Sequence, residues 1–187
     1  SVIGGGSSRI TSLGLSSISS QIHQLSQKKI PILPFIIKNQ KKIDKNVNYF
    51  RSKNSNKDYL AAKTVIRGMQ KSLTPQKKGW IGYGTASQDF KRVFKKWCNL
   101  NCPIKGKTGT VSIKDPNYRG STVFTAVTDT KKLSRFLNIK SNFKKNKMIS
   151  IGVVVFPEKK TNNKKASDLH MHLIKDILFN KKIIYKG

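Results

Sequence analysis

The stretch Ile104-Lys105-Gly106-Lys107-Thr108-Gly109-Thr110-Val111-Ser112-Ile113 opens a β-branched run that reads as a strand. Lys107 and Thr108 supply a cation and a hydroxyl able to hold a substrate carboxylate. Gly109 leaves room for a second backbone to lie alongside, and the Thr110 backbone N–H is free to point at a developing oxyanion. A strand that opens this way suits acyl transfer.

Two more strands are expected downstream. Ser121 to Thr128 carries Val123, Phe124 and Val127, and Met148 to Phe156 is the most hydrophobic run in the chain. Between them lie an amphipathic segment, Lys131 to Leu137, and a lysine-rich loop. A closing helix is expected from about Lys164 to Phe179, with Leu169, Leu173, Ile177 and Leu178 facing inward. Three strands with short links over 104–157 and a closing helix over about 164–180 predict an α+β fold, an antiparallel sheet covered by helices.

Upstream, Gly4 to Ser8 reads as a loop, and Thr11 as the N-cap of a helix with Leu15, Ile18, Ile22 and Leu25 at helical spacing. The serines at 16, 17, 19 and 20 would fit a helix packed closely on one side, but a solvated face is the simpler reading. Ile30 to Ile37, broken by Pro31 and Pro34, suits an edge, and the polar residues 39–57 a flexible excursion. A second helix, about Asp58 to Ser72, should bury Ala62, Val65, Ile66, Met69 and Leu73, and end before Pro75. Gly79 to Gly84 is a turn-rich loop, and a short basic helix from Asp89 to Trp97 should bury Phe90, Val93, Phe94 and Trp97.

The 187 residues suit a single domain, and 36 % hydrophobic content permits a core. A net charge of +30, from 38 basic residues against 8 acidic, raises nucleic acid as a partner. The scatter of lysine along the chain instead points to compositional bias. On the nucleic-acid reading, Trp80, Tyr83, Phe90 and Trp97 would be the stacking groups; core packing accounts for the helical spacing of the last two. No window approaches the roughly 20 apolar residues of a membrane span. Cys98 and Cys102 lack the companions of a zinc site and leave a small-loop disulfide and two free thiols equally open.

Taken in order, the features resemble the C-terminal part of a penicillin-binding protein transpeptidase domain. The resemblance rests on Gly4-Gly5-Gly6-Ser7-Ser8-Arg9-Ile10-Thr11 leading into a helix, Ile30-Pro31-Ile32-Leu33-Pro34, Arg67-Gly68-Met69, Gly84-Thr85-Ala86 and Gly106-Lys107-Thr108-Gly109-Thr110. K-T-G is the third motif of that family and of β-lactamases, after S-x-x-K and a serine-containing triplet. The chain departs from the family in having Ser12 in place of proline and a longer link over residues 87–103. The nucleophile motif and S-x-N would lie upstream of Ser1. Ser26-Gln27-Lys28-Lys29, Ser141-Asn142-Phe143-Lys144 and Ser52-Lys53-Asn54 match these motifs only as chance look-alikes in a serine- and lysine-rich chain.

The resemblance implies a partial transpeptidase fold spanning 1–187, with part of the domain missing upstream. It implies that Lys107 and Thr108 bind the terminal carboxylate of a peptidoglycan stem peptide or a β-lactam. Gly109 would let the ligand add alongside the strand, and the Thr110 N–H would be one oxyanion donor. It implies no metal and no cofactor, and an extracytoplasmic location anchored by a segment outside this chain. The remainder of its own domain would be a partner, without which the chain would be inactive and marginally stable. A basic nucleic-acid-binding module and a β-lactamase-like hydrolase are the alternatives.

Overall fold

The computed structural model describes residues 11–29, 56–75, 84–99, 101–111, 115–117, 120–140, 142–143, 145–156, 159 and 165–179. The readings of Gly4 to Ser8, Ile30 to Ile37, Ser52-Lys53-Asn54, Trp80 and Tyr83 fall outside them, as does most of 39–57.

The fold is α+β. Helix α1 (Ser12–Ser26) and helix α2 (Asn56–Lys71) precede a short helix α3 (Ser87–Phe94). Strand β1 (Ile104–Val111), strand β2 (Ser121–Asp129), helix α4 (Thr130–Leu137), strand β3 (Met148–Val155) and helix α5 (Ala166–Phe179) follow. The strands form an antiparallel meander in the order β1-β2-β3, with Gly106 opposite Ala126 and Thr125 opposite Gly152. Among the described residues β1 is therefore an edge.

Side-chain alternation gives each face of the sheet its own helices. One face sends Ile104, Phe124, Ala126 and Val153 into the main core with Phe90 and Val93 of α3 and Met171, Ile174 and Leu178 of α5. The other face meets α1 and α2, where Val127 packs with Ile66, Met69 and Ile22.

Caps explain several boundaries. Thr11 is the N-cap of α1, its Oγ1 accepting from Gly14 N at 3.0 Å, as its residue type predicts. Asp129 caps α4 by accepting from Lys132 N at 2.9 Å. Helix α3 stops at Phe94, short of the expected Trp97, because Lys95 turns left-handed at φ 56°. Trp97 is consequently half-buried beneath the Lys91 ammonium, 4.4 Å from the ring centroid, and not a core residue. Cys98 and Cys102 are buried and joined as a disulfide between α3 and β1, which closes the choice left open by their spacing.

Three helical faces differ from expectation, for related reasons. Helix α1 buries Leu15, Ser19 and His23, while Ile18 is 43 % exposed. Its serines do not all form a solvated face: Ser16, Ser17 and Ser20 are half-exposed, but Ser19 is buried. Its Oγ lies 2.7 Å from Ser150 Oγ, which in turn donates to Ser16 O at 2.6 Å, and Thr125 Oγ1 donates to Leu15 O at 2.8 Å. Satisfied small hydroxyls let the helix lie close against β2 and β3. A Cβ on Gly152 would collide with the α1 backbone at Ser12. Helix α5 buries His170, Met171, Ile174 and Leu178 and leaves Leu169 and Leu173 exposed, because His170 serves as an uncharged aromatic edge-on to Phe124 at 4.8 Å. In α2, Val65 is exposed while Ala62, Ile66 and Met69 are buried.

Candidate functional site

The phase of the β1–β2 ladder determines what the edge strand offers. Asp129 N donates to Pro103 O at 3.3 Å, which makes 103 and 129 a hydrogen-bonded pair. Alternation along the antiparallel register then directs the backbone groups of Lys105, Lys107 and Gly109 toward β2. Those of Gly106, Thr108 and Thr110 point out of the sheet. Two contacts agree with this phase: Ser72 Oγ donates to Gly106 O at 2.6 Å, and the Lys107 ammonium folds back onto Thr108 O. The Thr110 N–H thus points away from β2.

The pleat separates side chains that adjoin in sequence. Thr108 and Thr110 lie on the face shared with Phe124, whereas Lys107 and Gly109 lie on the α1–α2 face. A carboxylate held by both Lys107 and Thr108 must therefore sit at the strand edge, where the faces meet. Lys107 and Thr110 are exposed, and Thr108 and Gly109 half-buried, so the whole of Lys107-Thr108-Gly109-Thr110 is reachable from that side.

A second segment is fastened beside this edge. Gly84 N donates to Thr74 O at 3.3 Å and Ala86 N to Ser72 O at 3.0 Å, strapping Gly84-Thr85-Ala86 across the end of α2. The approach is close enough that a Cβ on Gly84 would strike the carbonyls of Lys71 and Ser72. The strap carries Thr85 to β1, where its Oγ1 lies 2.6 Å from Thr108 Oγ1. Gly84-Thr85 and Lys107-Thr108-Gly109, 23 residues apart in sequence, meet through this pair. Behind them Gly106 is buried, and a Cβ there would run into the Phe124 ring. The strand can lie this close to the core only because position 106 lacks a side chain.

Among the described residues no group of three or more His, Cys, Asp or Glu side chains is arranged to hold a metal ion. The look-alike at Ser26 lacks nucleophile geometry. An S-x-x-K pair needs one continuous helical turn to bring amine to hydroxyl. Here α1 ends at Ser26, Lys28 is left-handed at φ 57°, and the Ser26 hydroxyl donates to His23 O at 2.6 Å. Ser141 and Lys144 lie outside the described residues. Phe90 is fully buried, which removes it from any stacking surface.

Sequence reasoning missed Ser72, whose bond to Gly106 O anchors the strand edge; a serine just past a helix end carries no sign of such a distant partner. No protein-family model, curated protein or solved structure matches the chain.

Proposed function

We propose that this chain is the K-T-G-bearing portion of a penicillin-binding D,D-transpeptidase domain, acting on peptidoglycan stem peptides and acylated by β-lactams. The observation that carries the reading is the Thr85–Thr108 contact on an open strand edge, with the Thr110 N–H directed outward. On this reading Lys107 and Thr108 hold the substrate's terminal carboxylate, and the stem peptide lies along β1 as an added strand. The Thr110 N–H is one of two oxyanion donors. The loss of one such donor typically costs ~3–4 kcal/mol of transition-state stabilisation.

The nucleophilic serine and the S-x-N triplet are supplied by a segment outside this chain. That serine attacks the penultimate D-alanine carbonyl, D-alanine leaves, and an amine of a neighbouring stem takes the acyl group. The Cys98–Cys102 disulfide favours the extracytoplasmic setting this reaction requires, since such bonds persist in oxidising compartments.

The test is labelling by a fluorescent penicillin. The full-length protein should form a covalent, boiling-resistant adduct whose acylated serine maps outside residues 1–187. Failure of that protein to label, or an adduct on Ser26 or Ser141, would overturn the reading.

A further inference from the structure

A cleft of about 320 Å³ opens where β1 begins and β2 ends, at the far end of β1 from Thr110. Lys105 of β1, Asp129 of β2, Lys132 of α4 and His23 of α1 line it, with Val127 and Met148 as an apolar wall. None of Thr85, Lys107, Thr108 and Thr110 lines it.

The charges in this cleft do not balance. Asp129 is the one carboxylate among its described lining residues, and both of its oxygens are engaged. Oδ1 accepts from Lys132 N at 2.9 Å and Oδ2 from Asn146 Nδ2 at 3.4 Å. It serves as a helix cap, and among the described residues neither Lys105 nor Lys132 has a carboxylate at ion-pair distance. His23 adds no charge at neutral pH: burial, and then the Lys105 ammonium, push it down to about 4. Burial, and then the Lys132 charge, also push Lys105 below the ordinary lysine value, partly offset by the Asp129 carboxylate. The half-buried Lys105 and the exposed Lys132 thus line one cleft, and an incoming anion gains most beside the partly desolvated Lys105.

We propose that this cleft binds a small phosphate-bearing anion, the phosphate seated between the Lys105 and Lys132 ammonium groups. With Asp129 counted, the described lining carries a net single positive charge. Phosphate, with its several acceptor oxygens, can accept from both ammonium groups at once, which the two oxygens of a carboxylate do less readily. The volume leaves room beyond the phosphate for a small organic group against Val127 and Met148. The site stands independently of the transpeptidase reading.

Calorimetric titration at constant ionic strength tests it, with inorganic phosphate, n-butyl phosphate and acetate as probes. Phosphate should bind saturably at a 1:1 ratio, and acetate at least tenfold more weakly. Lys105→Gln and Lys132→Gln should each weaken phosphate at least tenfold. Lys131→Gln, which removes the same charge from an exposed neighbour on α4, should change it less than twofold. Lys132 is itself exposed, so its variant should keep the wild-type melt and report even if Lys105→Gln fails to fold. Tighter binding of butyl phosphate assigns a phosphomonoester as ligand; equal or weaker binding assigns free phosphate. Non-saturable binding, acetate as tight as phosphate, or equal losses in Lys131→Gln and Lys132→Gln would each overturn the proposal, leaving only the general attraction of a +30 chain for anions.

Discussion

Ser72 Oγ donates a 2.6 Å hydrogen bond to Gly106 O, fastening the end of α2 to the outward backbone of β1. The same serine's carbonyl accepts from Ala86 N at 3.0 Å. One residue thus ties together the helix, the strap that carries Thr85 and the strand that carries Lys107. This junction brings Thr85 beside Thr108, which the sheet's own ladder holds from the other side.

Replacing Ser72 with alanine should therefore loosen the edge without unfolding the sheet. A net hydrogen bond contributes about 1 kcal/mol, and the stranded Gly106 carbonyl adds to the loss. A urea midpoint shift equivalent to about 1–2 kcal/mol is expected, with faster amide exchange at Lys107 and Gly109, whose N–H groups face β2. Unchanged exchange at those two amides would show that the junction does not hold the edge.

Gly84→Ala should be more damaging than its size suggests. The added methyl meets two backbone carbonyls, which cannot swing aside as a side chain can. The strap must lift from α2, separating Thr85 from Thr108. Destabilisation of about 1–3 kcal/mol and a fall in penicillin labelling of the full-length protein are expected together. Normal labelling would mean that Thr85 need not reach Thr108.

Lys107→Ala tests the carboxylate role in the full-length protein. Lys107 is exposed and supports no core, so its loss should leave the melting temperature within error. A charge-assisted hydrogen bond contributes ~1.5–3 kcal/mol, so β-lactam acylation should fall by at least tenfold. Lys105 looks from the sequence like the matched control, but it is half-buried in a second cleft. Lys131, exposed on α4, is the cleaner choice. Equal labelling of Lys107→Ala and Lys131→Ala would argue for charge alone and against a K-T-G strand.

Acid should destabilise the protein through its buried imidazoles. His170 is fully buried, has no hydrogen-bond partner among the described residues, and is pushed down to about 3 by burial. The unfolded histidine titrates near 6.5, so on acidification the unfolded chain takes up the proton first. The native state keeps its full advantage above pH 6.5 and loses it progressively between pH 6.5 and pH 3. The loss is roughly 2 kcal/mol at pH 5, at 1.36 kcal/mol per unit. His23 acts with the same sign. Urea midpoints at pH 7, 6 and 5 should fall in the wild type and fall less steeply in His170→Phe; parallel slopes would remove His170 as the cause.

What the sequence revealed divides along chemical lines. The three strands, the edge motif and the Thr11 cap were legible because β-branched runs, glycines and capping hydroxyls act locally. The inward faces of α1 and α5 were not, because Ser19, His23 and His170 count as polar until their partners are known. Ser19 is satisfied by Ser150 and Thr125, more than a hundred residues away. His170 is accepted in the core as an uncharged ring. The second cleft draws its walls from segments scattered between His23 and Met148, and no local pattern encodes that meeting.

The bond between Ser19 and Ser150 spans 131 residues, whereas each strand of the meander pairs with a near neighbour in the chain. Closing the longer loop costs more entropy, and its contacts return that cost only once the sheet exists to receive them. The hairpins should therefore form first and α1 dock last. Substitutions at Ser19 or Gly152 should then speed unfolding and leave the refolding rate nearly unchanged, the signature of contacts absent from the transition state.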